Sequence, residues 1–313
     1  MASWNPIHPY SLKTLLLAII DPWIFLGLSV SHIPATIGRL LRSRDYTTLL
    51  SPSSFQSAWF GTFWATVGPR IREGNWDRIL ALLDGRVRHG TISDSQRVGV
   101  PASGTVIEVG AGSGMWVGLF AEPSLRGRGS ENEDGSDSTP LLRQRKGEEQ
   151  KGGVTKVYGV EPNPDMHPLL RESIANAGLD DGTYEIVPVG IESLASEGRV
   201  PRESVDCIVS ILCLCSIPDP ERNIRELYSY LKPGGRWYVM EHVRTFPEQG
   251  WAMGAYQAVV NVFWWLCLGG CELRRDTGRS LREAGPWSEV DLVFREKDDW
   301  CSVCPHIFGT LTK

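Results

Sequence analysis

The chain has 313 residues, 42% of them hydrophobic, enough to bury one large core with an appendage and too many for a disordered or fibrous chain. A net charge of −5, with no long lysine or arginine stripe, excludes the electrostatic footprint of a nucleic-acid binder and leaves a small molecule as the expected partner. All seven cysteines lie from Cys207 onward, an odd set without the spacing of a secreted disulfide framework, and they read as reduced thiols facing the cytosol.

The first element is "LKTLLLAIIDPWIFLGLSV", Leu12 to Val30, apolar apart from Lys13, Thr14, Asp21 and Ser29. A straight helix of this length would just reach across a hydrocarbon core of about 30 Å. Asp21 and Pro22 fall near its middle, where a carboxylate and a helix breaker favour a bent or in-plane anchor over a plain span. Trp4, Tyr10 and Trp23 suit a membrane interface, and Arg39, Arg42 and Arg44 suit an anionic cytosolic surface. Residues 1–45 are therefore read as a membrane-associating segment. The alternative is a pair of amphipathic helices capping the core. A cleaved signal peptide fits less well, because the charged leading region is nearly absent and no small-residue cleavage site follows.

Residues 46–102 read as a helical lead-in, with "FQSAWFGTFWATVGPRI" and "NWDRILALLDGRV" expected as two helices. From residue 103 onward a third region begins, in which "SGTVIEVGAGSG" is a strand running into a glycine loop and "VGLFAEP" the helix after it. Residues 124–153 are nearly free of large apolar side chains and read as a disordered insertion, because the pattern resumes afterwards. Next come the strand "KVYGVEPN", the helix "PDMHPLLRESIANAG", the strands "TYEIVPVG" and "VDCIVSILCL", the helix "ERNIRELYSYLK" and the strand "GGRWYVMEHV". A run of βα units implies an α/β fold with a mostly parallel sheet and helices on both faces.

Gly110, Gly112 and Gly114 are spaced G-x-G-x-G, one residue short of the dinucleotide fingerprint, and no G-K-[ST] closes a phosphate loop. Glu108 precedes them at the strand end, where it would repel a phosphate and hold a cationic amino group. The next strand ends in Glu161, placed to take the two hydroxyls of a ribose. An acid for an ammonium, glycines for close backbone approach and an acid for a ribose together describe S-adenosylmethionine. A tight strand-to-helix turn without a ligand is the alternative for the glycines.

From about Ser103 to the C-terminus the chain resembles the class I, Rossmann-like S-adenosylmethionine-dependent methyltransferases. The resemblance is carried by "IEVGAGSG", "VYGVEPN", "VDCIVSILCLCSI", "LKPGG" and "PHIFGTLTK". Through "LCS", "MEHV", "GCELRR", "PHIFG" and the apolar N-terminus it is more closely similar to the membrane-associated alkyl-thiol methyltransferases, the methyltransferase-like seven group. This resemblance implies a seven-stranded sheet and assigns the cofactor's contacts. Glu108 and the backbone of Gly110, Gly112 and Gly114 would hold the methionine moiety, and Glu161 the ribose. Pro162 and Asn163 would flank the nucleoside, with Gly190, Ile191 and Glu192 bordering the adenine. It also implies the cytosolic face of a membrane, endoplasmic reticulum or lipid droplet, as the location.

Methyl transfer from a sulfonium asks chiefly for an acceptor held in line with the methyl group. A thiol with a pKa near 8.5 needs only a modest shift or a nearby base. His242, after "WYVME" at the sheet's C-terminal edge, is the expected catalytic base; orienting Glu241 or capping a helix is its structural alternative. Cys213 and Cys215 could line the acceptor pocket or serve as small core residues. Cys301 and Cys304 form a C-x-x-C with only His306 nearby, too little for a zinc site, and no metal is expected. "WAMGAYQAVVNVFWWLCLGGC", Trp251 to Cys271, has almost no polar face and is either a lipid-touching roof over the acceptor pocket or a buried core helix. The expected activity is methyl transfer to a small hydrophobic acceptor, preferably a thiol. An oxygen or nitrogen methyltransferase of quinone-like or polyketide-like metabolites is the rival, and an idle membrane or lipid-droplet binding protein the alternative from another class.

Overall fold

The computed structural model describes residues 12–126, 152–294 and 300–313. Trp4, Tyr10 and nearly all of the expected insertion at 124–153 lie outside these. The apolar runs after Ser103 form β3 (Gly104–Val109), β4 (Val154–Val160), β5 (Tyr184–Val187), β6 (Val205–Ile211) and β7 (Leu231–His242). Two short strands, β1 (Val87–Arg88) and β2 (Thr91–Ile92), make a separate hairpin inside the region expected to be helical. The large sheet has seven strands in the order β5-β4-β3-β6-β7-β9-β8, with β8 at Glu289–Phe294 and β9 at His306–Thr312. The first five strands of that order are parallel, and β9 alone is reversed, pairing antiparallel with both neighbours. β8 escapes a reading by pattern because it is an edge strand whose Glu289, Val290 and Phe294 are exposed.

Strand alternation sends side chains to two cores. Val106 packs with Ile79, Leu82, Leu170 and Tyr184 on one face, whereas Ile107 and Val109 pack with Leu194, Ile224 and Leu227 on the other. The first face is covered by α4 (Pro52–Leu83) and α5 (His167–Asn176), the second by α6 (Leu194–Glu197), α7 (Pro220–Tyr228) and α9 (Thr277–Arg282). Because β3 lies between β4 and β6, the chain's crossovers diverge there and open a crevice beyond the C-terminal strand ends.

The two lead-in helices are in fact one. α4 runs 32 residues through Pro69, although an internal proline ordinarily costs about 3 kcal/mol. Both halves are anchored, Phe63 and Val67 in a third core and Ile79, Leu82 and Leu83 in the first, so burial carries the helix across the break. "VGLFAEP" forms only a short 3₁₀ turn, Val117–Ala121.

The third core joins the N-terminal helices to α8 (Gly250–Cys267) and the loops beside the C-terminal strand ends. α1 (Leu12–Val30) continues unbroken through Pro22, followed by α2 (Ile33–Arg42) and α3 (Tyr46–Leu50). It docks on α8: Trp23 Nε1 donates to the Tyr256 hydroxyl at 2.9 Å and Ser29 Oγ donates to the Cys267 carbonyl at 2.7 Å. Trp59 Nε1 of α4 donates to the Ser29 carbonyl at 2.7 Å, so α1 is a packed wall rather than a loose appendage. Its outer side leaves Leu16, Ile19, Ile20, Ile24 and Leu28 exposed, beside Val259, Val262, Phe263, Trp265 and Leu266 of α8. α8 itself buries Met253, Gln257, Val260 and Trp264, which makes it a half-exposed roof and not a core helix. The stretch from Leu15 is long and apolar enough to cross a membrane by length and composition.

Candidate active site

A cavity of about 1050 Å³ occupies the crevice. One end is the loop after β3, where Gly110, Gly112 and Gly114 all have positive φ. Gly110 and Gly112 line the cavity, but Gly114 turns toward α5, where a Cβ would stand 2.5 Å from that of Ser173, which corrects its expected contact with the ligand. At Gly110 a Cβ would stand 2.7 Å from that of Cys213, so only glycine lets the loop pass the end of β6. At Gly112 a Cβ would meet nothing closer than 3.9 Å, which leaves the space in front of this backbone for a ligand.

Glu161 closes this end. Its two carboxylate oxygens accept from the backbone N–H groups of Gly112 at 2.7 Å and Asn163 at 2.8 Å, locking the two loops together. Burial raises its pKa against the pull of those two donors. Each oxygen keeps a second lone pair, which fits a diol. Pro162, Asn163, Gly190, Ile191 and Glu192 line the adjoining wall.

Glu108 does not line the cavity, which corrects its expected direct contact with the ligand. It shares a strand face with Val106, and its carboxylate accepts from the Tyr184 hydroxyl. The Tyr184 ring crosses Gly159, the β4 partner of Glu108, where a Cβ would collide with it. Burial lifts the Glu108 pKa from 4.5 to about 7, against the Tyr184 hydrogen bond and with the help of the Glu161 charge. A carboxyl whose pKa is raised by folding contributes stability that is full below about 4.5 and is lost as pH climbs through about 7. Glu108→Gln is therefore expected to flatten the fall in urea midpoint between those pH values. Parallel pH profiles for the two proteins would contradict this origin.

The other end is lined by cysteine and histidine side chains. His242, at the end of β7, is buried, with Nε2 3.0 Å from Cys271 Sγ and Nδ1 without a hydrogen-bond partner. The Cys271 thiol donates to Cys215 Sγ at 3.2 Å, and Trp264 Nε1 donates to Cys271 Sγ at 3.3 Å. Hydrogen bonding from Cys271, with the His242 charge, holds the Cys215 thiol well below its ordinary pKa despite burial. Burial disfavours a charged His242 ring, but the nearby Cys215 outweighs it and the net shift is upward. Burial pushes Cys271 and Cys213 well up. Beside the histidine, Glu241 accepts from the backbone N–H groups of Cys213 and Leu214, each at 3.1 Å, and burial raises its pKa to about 8.

The solitary base expected at His242 is thus part of a cluster. Cys213, Cys215, Cys271, Cys304 and His306 line the same cavity, whereas Cys301 is buried and does not. Cys271 and Trp264 were not singled out from the sequence, although "GCELRR", one of the segments carrying the resemblance, contains the cysteine. The α1 contribution, Leu17, Asp21, Pro22 and Phe25, was also missed; Asp21, although exposed, is among the residues that line the cavity.

Residues 84–283 match the family model of a methyltransferase domain. The chain belongs to this family. Its cofactor is S-adenosylmethionine, and the loop of Gly110 to Gly114 with Glu161 fits it. This methyltransferase is 34% identical over 160 residues to thiol S-methyltransferase TMT1A of Homo sapiens, a match covering 50% of this chain and 62% of that protein. Thiol S-methyltransferase TMT1B of Rattus norvegicus matches to the same 34% and the same coverage. The chain therefore spans about 62% of the length of these curated relatives. Among solved structures, an O-methyltransferase family protein from Burkholderia thailandensis shares the fold, with a TM-score of 0.52 at 14% identity, covering 92% of this chain and 72% of that one.

Replacing Glu161 with Ala removes an acceptor and leaves donors unpaired, at about 1.5 to 3 kcal/mol for a charged partner. Calorimetry on the folded variant is expected to show S-adenosylmethionine binding weakened by about tenfold or more; unchanged affinity would remove Glu161 from the cofactor's contacts.

Proposed function

We propose that this methyltransferase moves the methyl group of S-adenosylmethionine to the sulfur of a small, apolar thiol that enters from a membrane. The observation that carries the reading is one continuous cavity, with the glycine loop and Glu161 at one end and the sulfur–imidazole cluster of His242 at the other. Its outer wall is α1, whose opposite side is apolar and exposed.

The chemistry follows from that layout. The backbone around Gly110 and Gly112 holds the methionine moiety, and Glu161 takes the ribose hydroxyls. Pro162 and Asn163 flank the nucleoside, while Gly190, Ile191 and Glu192 border the adenine. When bound, the cofactor supplies an electrophilic methyl group. The protein must place the acceptor about 3 Å from that methyl, on the side away from the sulfonium. Phe25, Trp64 and Trp264 keep water from the path, which favours a reaction in which opposite charges cancel. His242 and its cysteines lower the cost of ionising the thiol. The relatives named for thiol S-methylation support the same acceptor.

The membrane is proposed to be the source of the acceptor, with the protein on the cytosolic face of the endoplasmic reticulum or a lipid droplet. The exposed apolar faces of α1 and α8 support association with the bilayer. The test of the acceptor is transfer from cofactor labelled in its methyl group to a matched panel of thiols, phenols and amines of equal chain length. Thiols are expected to react fastest. Faster transfer to phenols or amines would replace the thiol by an oxygen or nitrogen acceptor, and transfer to none would leave a binding protein.

A further inference from the structure

We propose that Cys215, His242 and Cys271 together hold a soft divalent cation of the zinc class, with its open side facing the cavity to take the acceptor's sulfur. The cation site stands on the side-chain geometry alone; the role of its open side rests on the thiol reading above.

The ligand atoms of the three residues all lie within 4.8 Å of one another. They come from three different places in the fold: the loop after β6, the end of β7 and the turn after α8. The frame around them is fixed before any ion arrives. Glu241 holds the backbone of Cys213 and Leu214, Arg275 donates to the Leu214 carbonyl at 2.8 Å, and the Glu272 N–H donates to the Cys215 carbonyl at 3.0 Å. The last of these bonds ties the two cysteine-bearing loops directly together.

The donor set chooses the ion. Two thiolates and an imidazole suit zinc and its soft neighbours and suit magnesium or calcium poorly. Metal–sulfur bonds of about 2.3 Å and metal–nitrogen bonds of about 2.0 to 2.1 Å set tetrahedral edges of roughly 3.8 Å between sulfurs and 3.6 Å between sulfur and nitrogen. The observed 3.2 Å and 3.0 Å need an opening of about half an ångström on the side where the cavity leaves room. The Trp264 N–H already donates to Cys271 Sγ, as a second layer does around a metal thiolate. His242 Nδ1 has no hydrogen-bond partner, and the ring is oriented by its edge-on packing against His306, with centroids 6.3 Å apart, and by the sulfur contact at Nε2.

Two thiolates neutralise a dication and leave it with three protein ligands, the pattern of a catalytic site with one open position. A thiol taking that position would release its proton to solvent. Its sulfur then forms a bond to the methyl carbon as the carbon–sulfonium bond breaks. That bond's electron pair stays on the cofactor's sulfur, which becomes a neutral thioether. The methylated acceptor, also a thioether, is a weak ligand and leaves.

Cobalt(II) added to the metal-stripped, full-length protein is the direct probe, since thiolate-bound tetrahedral cobalt has an intense near-ultraviolet charge-transfer band and visible bands. One equivalent is expected to bind and to be displaced by zinc. Cys271→Ser, Cys215→Ser and His242→Ala should each weaken it by about a hundredfold or more, while Cys207→Ser, near the start of β6 and at the opposite end of the strands from the site, leaves the spectrum unchanged. A folded protein without a stoichiometric thiolate–cobalt band, or a band that survives Cys215→Ser and Cys271→Ser together, overturns the site. The acceptor reading is separated by a second measurement. Cobalt binding whose bands do not move when a thiol is added refutes the role of the open side while the site stands. Thiol methylation undiminished in a protein shown to be metal-free refutes that role and leaves the thiol reading intact.

Discussion

His242→Ala is expected to lower methyl transfer to a thiol of ordinary pKa by about 10²-fold or more, the scale set by a positioned group that helps a proton depart. The loss should shrink along a series of thiols of falling pKa, because an acceptor already ionised in solution needs no help in the cavity. His242 is buried, and Nε2 is joined through Cys271 to Cys215, so its removal takes away the imidazole and also disorganises the sulfurs. The measurement is kcat/KM for the variant and the unaltered protein across the series, with cofactor affinity checked separately. An equal loss for every thiol would make His242 a packing residue. No turnover of any thiol by the unaltered protein would transfer the case to another acceptor atom.

The second large effect is on location. Ile20, Ile24 and Val262 are exposed at 47%, 59% and 67%, and none of them lines the cavity. Replacing all three with Lys should move the protein from the membrane pellet to the soluble fraction, since a lysine at the middle of a membrane-embedded helix costs about 2.5 to 3.5 kcal/mol. Substitution is a cleaner test than deleting residues 1–45, because deletion would also strip Leu17, Asp21, Pro22 and Phe25 from the cavity wall. The triple variant should still methylate a water-soluble thiol. An unaltered protein that is soluble without detergent, or a variant that still pellets, would end the membrane reading.

The βα order, the parallel strands and the cofactor end of the cavity were legible in the sequence, for a physical reason. Parallel strands are buried on both faces and appear as unbroken apolar runs, and a glycine loop with an acid at the next strand end is confined to a few consecutive residues. Glu108 shows where such reading stops. Its position in the run is plain, but which face it takes depends on the alternation of β3 and on Tyr184, a residue of another strand that reaches over Gly159. The sulfur–imidazole end of the cavity was less legible because it is assembled across the chain. Cys215, His242 and Cys271 meet only after β6, β7 and α8 are in place, and no local spacing announces them. α4 failed differently: Pro69 is a sound local signal for a break, overruled by two separate cores holding the two halves in line.

α1 forms part of the cavity's wall and also carries the apolar outer face. If that face lies in lipid, the quantity that fills the acceptor site is the mole fraction of acceptor in the bilayer and not its concentration in water. An apparent KM written per litre of assay would then rise as empty lipid is added, with kcat unchanged, and two acceptors of equal intrinsic reactivity would be ranked by their partition coefficients. Selectivity in the cell would belong partly to the membrane, as a property of where a molecule dissolves before it meets the protein.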